Sequence, residues 1–206
     1  MDKGPDIVRE FEPMPEKKTD RRTNRTRRQL SSALVDLVKE KRFDEITVQN
    51  VIDRADVGRS TFYSHFRDKD DLFQKDWERF LDGFAQHIDW EKARTGSFVP
   101  VVYLFGHLRD SQPFYQSLVR SQKADSIFRS GMNHLSQRIE SALASRLKGK
   151  PAPSIPIPVL ANYLASELFS LLKWWLDHKM PYSPERMDEI FHELVSPTFR
   201  ALLKSN

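Results

Sequence analysis

The sequence predicts an all-α protein, with an N-terminal three-helix helix-turn-helix domain followed by a helical bundle. Apolar residues recur three and four positions apart along most of the chain, and no useful stretch alternates apolar with polar as a strand would. Two short helical stripes also follow one another closely between Thr47 and Leu72, which sets the architecture of the N-terminal part.

Composition bounds the rest. At 206 residues the chain is long enough to bury a core without staples. It contains no cysteine, which excludes disulfides, thiolate metal sites and cysteine nucleophiles. Charged residues make up 30% and hydrophobic ones 39%, the balance of a soluble globular protein. No apolar run approaches the roughly 20 residues that span a bilayer, and the start MDKGPDIVRE has no secretory pattern. No membrane association and a cytoplasmic location are therefore expected. The net charge is only +4, but Lys17 to Arg28 holds seven Lys or Arg against Asp20. That block carries +6 on a body of about -2. It reads either as a polyanion-facing end or as a solvated N-terminal arm.

Residues 1–20, with Pro5, Pro13 and Pro15 and no periodicity, read as a flexible leader. Leu30, Ala33, Leu34, Leu37 and Val38 then form the stripe of a first helix. Phe43 and Ile46 sit in a short break. Thr47 stands where an N-cap belongs, ahead of Val48, Val51, Ile52 and Ala55. Asp56-Val57-Gly58 interrupts, and Arg59 to Phe66 makes a third element with Phe62 and Phe66 four apart. Asp68 reads as the cap of a fourth helix reaching about residue 90, with Asp70 and Asp71 in its first turn, where the helix dipole favours negative charge. The domain organisation is then 21–68 for the helix-turn-helix part, 69–90 for a connecting helix and 91–206 for the remainder.

That remainder is helical too. Val101 to Leu108 forms one stripe, Phe114 to Val119 a short one, and Phe128 to Leu143 a long one. Four prolines between Lys150 and Pro158 imply a loop. Val159 to His178 is apolar on more than one face, and a last helix starts at Ser183-Pro184, with Pro197 expected to kink it or open it locally.

The stretch TVQNVIDRADVGRSTFYSHFRDKDDL carries the chemistry. A two-turn helix, a three-residue turn and a second short helix is the arrangement that lays its second helix in the DNA major groove, where base edges present an unambiguous code. Short polar residues at the start of that helix, Arg59, Ser60, Thr61 and Ser64, let the backbone approach closely. Tyr63, His65 and Lys69 are donors suited to phosphates on either side. A generic helix pair inside a bundle would share the same spacing.

From about Arg25 to Leu72 the sequence resembles the DNA-binding domain of TetR/AcrR transcriptional regulators. The resemblance rests on Phe43-Asp44-Glu45-Ile46-Thr47-Val48, on Ile52, Ala55 and Val57, on Ser60-Thr61-Phe62-Tyr63-x-His65-Phe66, and on Lys69-x-x-Leu72. It covers the first third of the chain. Beyond it, the aromatic-rich Trp174 to Met187 stretch is similar to regulators that end in a short helix pair. The resemblance implies a cytoplasmic homodimer on a palindromic double-stranded DNA operator, acting as a repressor that a small-molecule effector releases. It implies that Thr47 caps the second helix and touches a phosphate, and that Gln49 approaches a base or phosphate. Gly58, Arg59, Ser60 and Thr61 would open the recognition helix, while Tyr63, His65 and Lys69 would bond phosphates. Asp56 departs from the family's usual glycine, and Ser60 from its usual glycine or proline. Arg59 suits guanine or a phosphate, and Gln49 suits adenine.

Other chemistries find little support. The six histidines form no His-x-x-x-His pair, and His192-Glu193 reads as a solvated helix face. There is no nucleophile elbow, dinucleotide fingerprint or phosphate loop, so no cofactor, metal or catalytic set is expected. Fifteen of the 23 aromatics lie beyond residue 80. Phe98, Tyr103, Phe105, Phe114, Tyr115, Tyr163, Phe169 and Trp174 could line an effector pocket or simply fill the core. The narrower set for an effector is Tyr103, His107, Phe114, Tyr115, Tyr163 and Trp174. The last two helices, apolar beyond one stripe, are expected to pair with their counterparts in a homodimer. A helical protein-interaction module without DNA binding, or an activator with the same head, are the alternatives.

Overall fold

The computed structural model describes residues 18–94, 96–112, 115–116, 124–149 and 153–204. Through them run α1 (Lys18–Glu40), α2 (Val48–Ala55), α3 (Arg59–His65), α4 (Lys69–Gln86), α5 (Val101–Asp110), α6 (Ala124–Arg146), α7 (Ile157–Asp177) and α8 (Pro184–Lys204). Single 3-10 turns occupy Phe43–Glu45 and Lys92–Arg94. The described residues contain no strand, so the all-α expectation holds. The chain divides into two compact units, Met1–Phe80 with Ser111–Ile127, and Leu81–Asp110 with Phe128–Asn206. Residues 111–127 thus group with the first unit, where the sequence places them in the domain 91–206.

Most of the expected leader, residues 1–17, lies outside the described residues. The basic block from Lys18 onward is on α1 rather than on an irregular arm. No proline or glycine interrupts residues 18–40, and Lys and Arg are good helix formers.

In the first unit the predicted stripes are the core. Leu30, Ala33, Leu34, Leu37 and Val38 of α1 are buried, as are Phe43, Ile46, Val51, Ile52, Ala55, Phe62, Phe66, Leu72, Phe73 and Trp77. Phe43 meets Phe73 edge-on at 5.9 Å. With eight and seven residues, α2 and α3 are shorter than the roughly 12 that a helix needs alone, so burial must hold them. Each fully buried Leu or Phe contributes about 1.5–3 kcal/mol to that end. Thr47 caps α2 as predicted. Its hydroxyl accepts from the Asn50 amide at 3.2 Å, while the Asn50 side chain accepts from the Thr47 amide at 3.1 Å. Asp56 closes α2 in the left-handed region, at φ 52° and ψ 50°. Aspartate is one of the few non-glycine residues that visit this region readily, so it holds the conformation that glycine would otherwise favour. Asp68 caps α4 through the Asp71 amide at 2.8 Å, again as expected.

In the second unit, α8 organises the start of α5. The Asp188 carboxylate accepts from the Val102 amide at 3.3 Å and from the Ser97 hydroxyl at 3.2 Å. His192 Nε2 accepts from the amides of Phe98 at 3.0 Å and Val99 at 3.2 Å, and Nδ1 bonds the Asp188 carbonyl at 2.8 Å. A nitrogen that accepts carries no proton, so Nδ1 is the donor and the ring is neutral. The expectation that His192 belongs to a solvated face is therefore corrected: it is buried, because the irregular segment before α5 has amides with no helical partner. Trp175 is fully buried, with its ring 4.9 Å from Phe105 and its Nε1–H donating to the Tyr182 carbonyl at 2.8 Å. Ser183 caps α8 through the Arg186 amide at 3.2 Å, and the helix runs on through Pro197. The helix α7 begins at Ile157, so the proline-rich loop ends two residues before the predicted Pro158, which sits in the first turn where no amide is needed. No described helix is long and apolar enough to cross a membrane.

Truncating His192 strands two buried amides, each costing about 1–3 kcal/mol. His192→Ala is expected to lower unfolding stability by about 2–4 kcal/mol in urea titration. His192→Gln, which keeps an acceptor, is expected to recover part of that loss; equal stability of wild type and His192→Ala would show that the imidazole acceptor is dispensable.

Candidate nucleic-acid interface

The face of α3 opposite the core is built by simple helical geometry. Phe62 and Phe66, four apart, are buried, so Ser60 and Ser64 point away from the core and Tyr63, 50% exposed, lies at the flank, while Arg59, three before Phe62, is exposed as the first residue of the helix. Thr61 and His65 sit half-buried at the edges. Gly58 precedes them as the extended N-cap. A Cβ there would meet only the Thr61 hydroxyl, at 3.8 Å, so packing inside the protein does not demand glycine. The bare Cα leaves clearance on the outer side. Thr47 lies exposed at the head of α2. Since its hydroxyl oxygen accepts from Asn50, its proton remains available to an incoming acceptor.

Several of these groups are already engaged. Ser64 turns its hydroxyl back to the Thr61 carbonyl at 2.7 Å. Lys69 directs its ammonium inward, donating to the carbonyls of Phe43, Asp44 and Ile46, with the Phe43 ring 4.8 Å away. In this geometry it ties the 3-10 turn to the start of α4 instead of projecting toward a phosphate. Arg59 and Gln49, read from sequence as separate base readers, are joined: Arg59 Nη2 donates to Gln49 Oε1 at 2.6 Å. Burial, and next the positive charges of Arg27 and Lys75, lower the pKa of His65 below its ordinary value. Its ring is neutral at pH 7 and presents one donor nitrogen.

Two elements of this region escape sequence reasoning. Asp53 accepts from Gln49 Nε2 at 2.7 Å, and the (i, i+4) spacing of Gln49 and Asp53 on α2 was the available signal. Asp71 is buried yet charged, accepting from the Arg67 amide at 2.9 Å and pairing with Lys75 at 3.0 Å and Arg67 Nη2 at 3.3 Å. Burial works to raise its pKa, but the Arg67 amide and the Lys75 and Arg67 side chains outweigh it and hold the carboxyl below the ordinary range. This network fixes the exit from α3.

The effector candidates divide between the two units. Tyr103 and Trp174, 44% and 41% exposed, are surface residues rather than the walls of an interior volume. Trp174 stacks on His178 at 4.5 Å and on Tyr182 at 6.2 Å. Tyr115 belongs to the first unit, edge-on to Trp77 at 6.2 Å, and burial pushes its hydroxyl pKa up. His107 and Tyr163 are half-buried in the second unit. Burial drives the His107 pKa down to about 4, against an opposing pull from Asp110. Phe114 lies outside the described residues. Phe98, Phe105 and Phe169 are buried in the core.

Residues 30–75 match the family model for bacterial regulatory proteins of the tetR family, and residues 101–197 match a model for a transcriptional regulator C-terminal region. Among curated relatives, 74 residues are 34% identical to the uncharacterized HTH-type transcriptional regulator YxbF of Bacillus subtilis strain 168, covering 35% of this chain and 20% of that one. A stretch of 97 residues is 23% identical to the HTH-type dhaKLM operon transcriptional activator DhaS of Lactococcus lactis, covering 45% of this chain. The aligned segments thus span a fifth and about half of these relatives, 20% and 48%. Among solved structures, DhaS has a TM-score of 0.60 at 17% identity, over 86% of this chain and 97% of that one. A TetR transcriptional regulator from Streptococcus agalactiae has a TM-score of 0.51 at 26% identity over the same shares, 86% and 97%.

The geometry at Lys69 separates a structural tie from a phosphate clamp. Lys69→Met is expected to lower stability by about 1–2 kcal/mol, the scale of a partly exposed charged hydrogen-bond set. On any duplex the protein binds, its salt dependence should match wild type, whereas loss of a phosphate contact would reduce the slope of log affinity against log salt by about 1.

Proposed function

We propose that this chain, which belongs to the TetR family of bacterial regulatory proteins, is a repressor that binds a palindromic operator as a homodimer and is released by a small-molecule effector. The observation that carries the DNA-binding part is the outward face of α3, where Arg59, Ser60 and Tyr63 project while Phe62 and Phe66 anchor the helix in the core. In the proposed complex α3 enters the major groove with Gly58 and Ser60 against the backbone. Thr47, Tyr63 and neutral His65 donate to phosphates on either side, and Thr61 lies at the groove edge. The basic residues Arg25 and Arg28, exposed on α1, add sequence-independent attraction. Action on DNA places the protein in the cytoplasm.

Homodimerisation is supported by large apolar side chains left in solvent on the last two helices. Val159 on α7 and Leu194 on α8 are each 55% exposed, and Trp174 joins them on α7. A two-fold pairing of these helices would cover them and set two copies of α3 about 34 Å apart, or a multiple of it, as successive major grooves require. Effector release is the ordinary linkage consequence if a ligand binds one separation of the heads better than the other. His107 and Tyr163 are the half-buried polar groups of the second unit nearest to that role in chemistry. The activator name of DhaS, to which 97 residues align, keeps activation as a second reading. Reporter transcription with and without the protein decides the sign.

Two outcomes test the proposal. Gel-shift titration on duplexes enriched from genomic fragments is expected to show affinity that falls steeply with salt, with Tyr63→Phe losing about fivefold per half-site, the scale of one hydrogen bond. Salt-insensitive association, or wild-type affinity in Tyr63→Phe, would favour a protein-interaction module. Sedimentation of Leu194→Asp and Trp174→Asp is expected to give monomers with operator affinity sharply reduced, and unchanged dimers in both variants would place the interface elsewhere.

A further inference from the structure

The exposed polar chain on α2 and α3 has a chemistry that neither residue class shows alone. Arg59 Nη2 donates to Gln49 Oε1 at 2.6 Å, and Gln49 Nε2 donates to Asp53 Oδ1 at 2.7 Å. A guanidinium has only donors and an ionised carboxylate only acceptors. The amide between them, which has one of each, is therefore held in a single orientation: its nitrogen must face Asp53 and its oxygen must face Arg59. Reversing it would set donor against donor at one end and acceptor against acceptor at the other.

This has two consequences for what the surface can read. Bidentate recognition of adenine needs the amide oxygen and nitrogen of Gln49 turned together toward one base edge, and that rotation would break both bonds of the chain. Arg59, in contrast, uses one N–H on Gln49 and keeps the rest of its planar fork. Guanine presents two acceptors, N7 and O6, that match such a fork. An arginine on a surface is ordinarily a freely rotating side chain, and fixing it beforehand reduces the ordering that binding requires.

We infer that Asp53 is a positioning residue for DNA sequence specificity: through Gln49 it aims the Arg59 guanidinium at one guanine in each operator half-site. Asp53 touches no base. It also explains an acid beside a surface that must meet phosphates, since its repulsion of the backbone is offset by the alignment it gives Arg59. The inference rests on the DNA-binding reading above and extends it to the base that is read.

Selection from a randomised duplex pool with the full chain tests this, run in parallel on wild type and on Arg59→Ala, Gln49→Ala, Asp53→Ala and Asp53→Asn. All three side chains are exposed, so the variants are expected to melt with wild type. The wild-type motif should hold one guanine per half-site preferred about tenfold or more over other bases. Arg59→Ala should reduce that preference to within about twofold. Asp53→Ala and Gln49→Ala should flatten the same position to about threefold, with the rest of the motif and the salt slope kept. Asp53→Asn keeps a carbonyl acceptor and should restore the guanine, even while the lost negative charge raises affinity for every duplex alike. The inference is overturned by an Asp53→Ala motif identical to wild type, by a guanine that survives in Arg59→Ala, by a Gln49→Ala motif that loses an adenine and keeps its guanine, or by Asp53→Asn flattening the guanine as far as Asp53→Ala does. Enrichment of no duplex by wild type would instead overturn the DNA-binding reading itself.

Discussion

Burial of Phe62 and Phe66 is the constraint on which the candidate surface depends. A helix of seven residues, Arg59–His65, does not persist in water by its own hydrogen bonds. It exists because two aromatic side chains one turn apart are sunk in the core, with ring centroids 5.9 Å apart. That anchoring also settles which residues face out. With positions 62 and 66 inward, the angular step of the helix turns 60 and 64 outward and 63 to the flank, while 59, three before 62, is exposed as the first residue of the helix. Specific polar chemistry at the surface is thus a by-product of where the apolar pair goes.

Polar groups complete what the apolar core begins. The entry to α2 is fixed by the reciprocal Thr47–Asn50 cap, the turn before α3 by the left-handed Asp56, and the exit from α3 by Asp71 with Arg67 and Lys75. Lys69 then ties the 3-10 turn to α4 through three carbonyls. Each interaction is modest, of the order of 1 kcal/mol. Together they remove the freedom of the segments on either side of α3, so the orientation of the exposed face is held at both ends. The second unit uses the same device at a different place, where Asp188 and His192 satisfy the unpaired amides before α5.

Much of this was legible in the amino-acid order. The stripes Leu30–Val38 and Val51–Ala55, the caps Thr47 and Asp68, and the inward Phe62 and Phe66 follow from spacing and from the hydrogen-bonding capacity of single residue types. These are relations between neighbours a few positions apart, which a helix converts directly into geometry. The outward positions of Ser60 and Ser64 follow from the same rule, whereas the exposure of Arg59, three before Phe62, does not.

What tertiary structure decided are the partners of polar side chains that meet across long separations. Lys69 looks like a free cation in sequence, but its carbonyl partners lie 23 to 26 positions earlier. His192 looks like part of a charged helix face, but its amide donors lie 93 and 94 positions away. Tyr103 and Trp174 read in sequence as pocket or core aromatics, and packing leaves them 44% and 41% exposed. Periodicity reports which side of a helix is apolar. It carries no information about which backbone group from a distant segment will be brought against a given ammonium or imidazole, because that depends on how the helices pack.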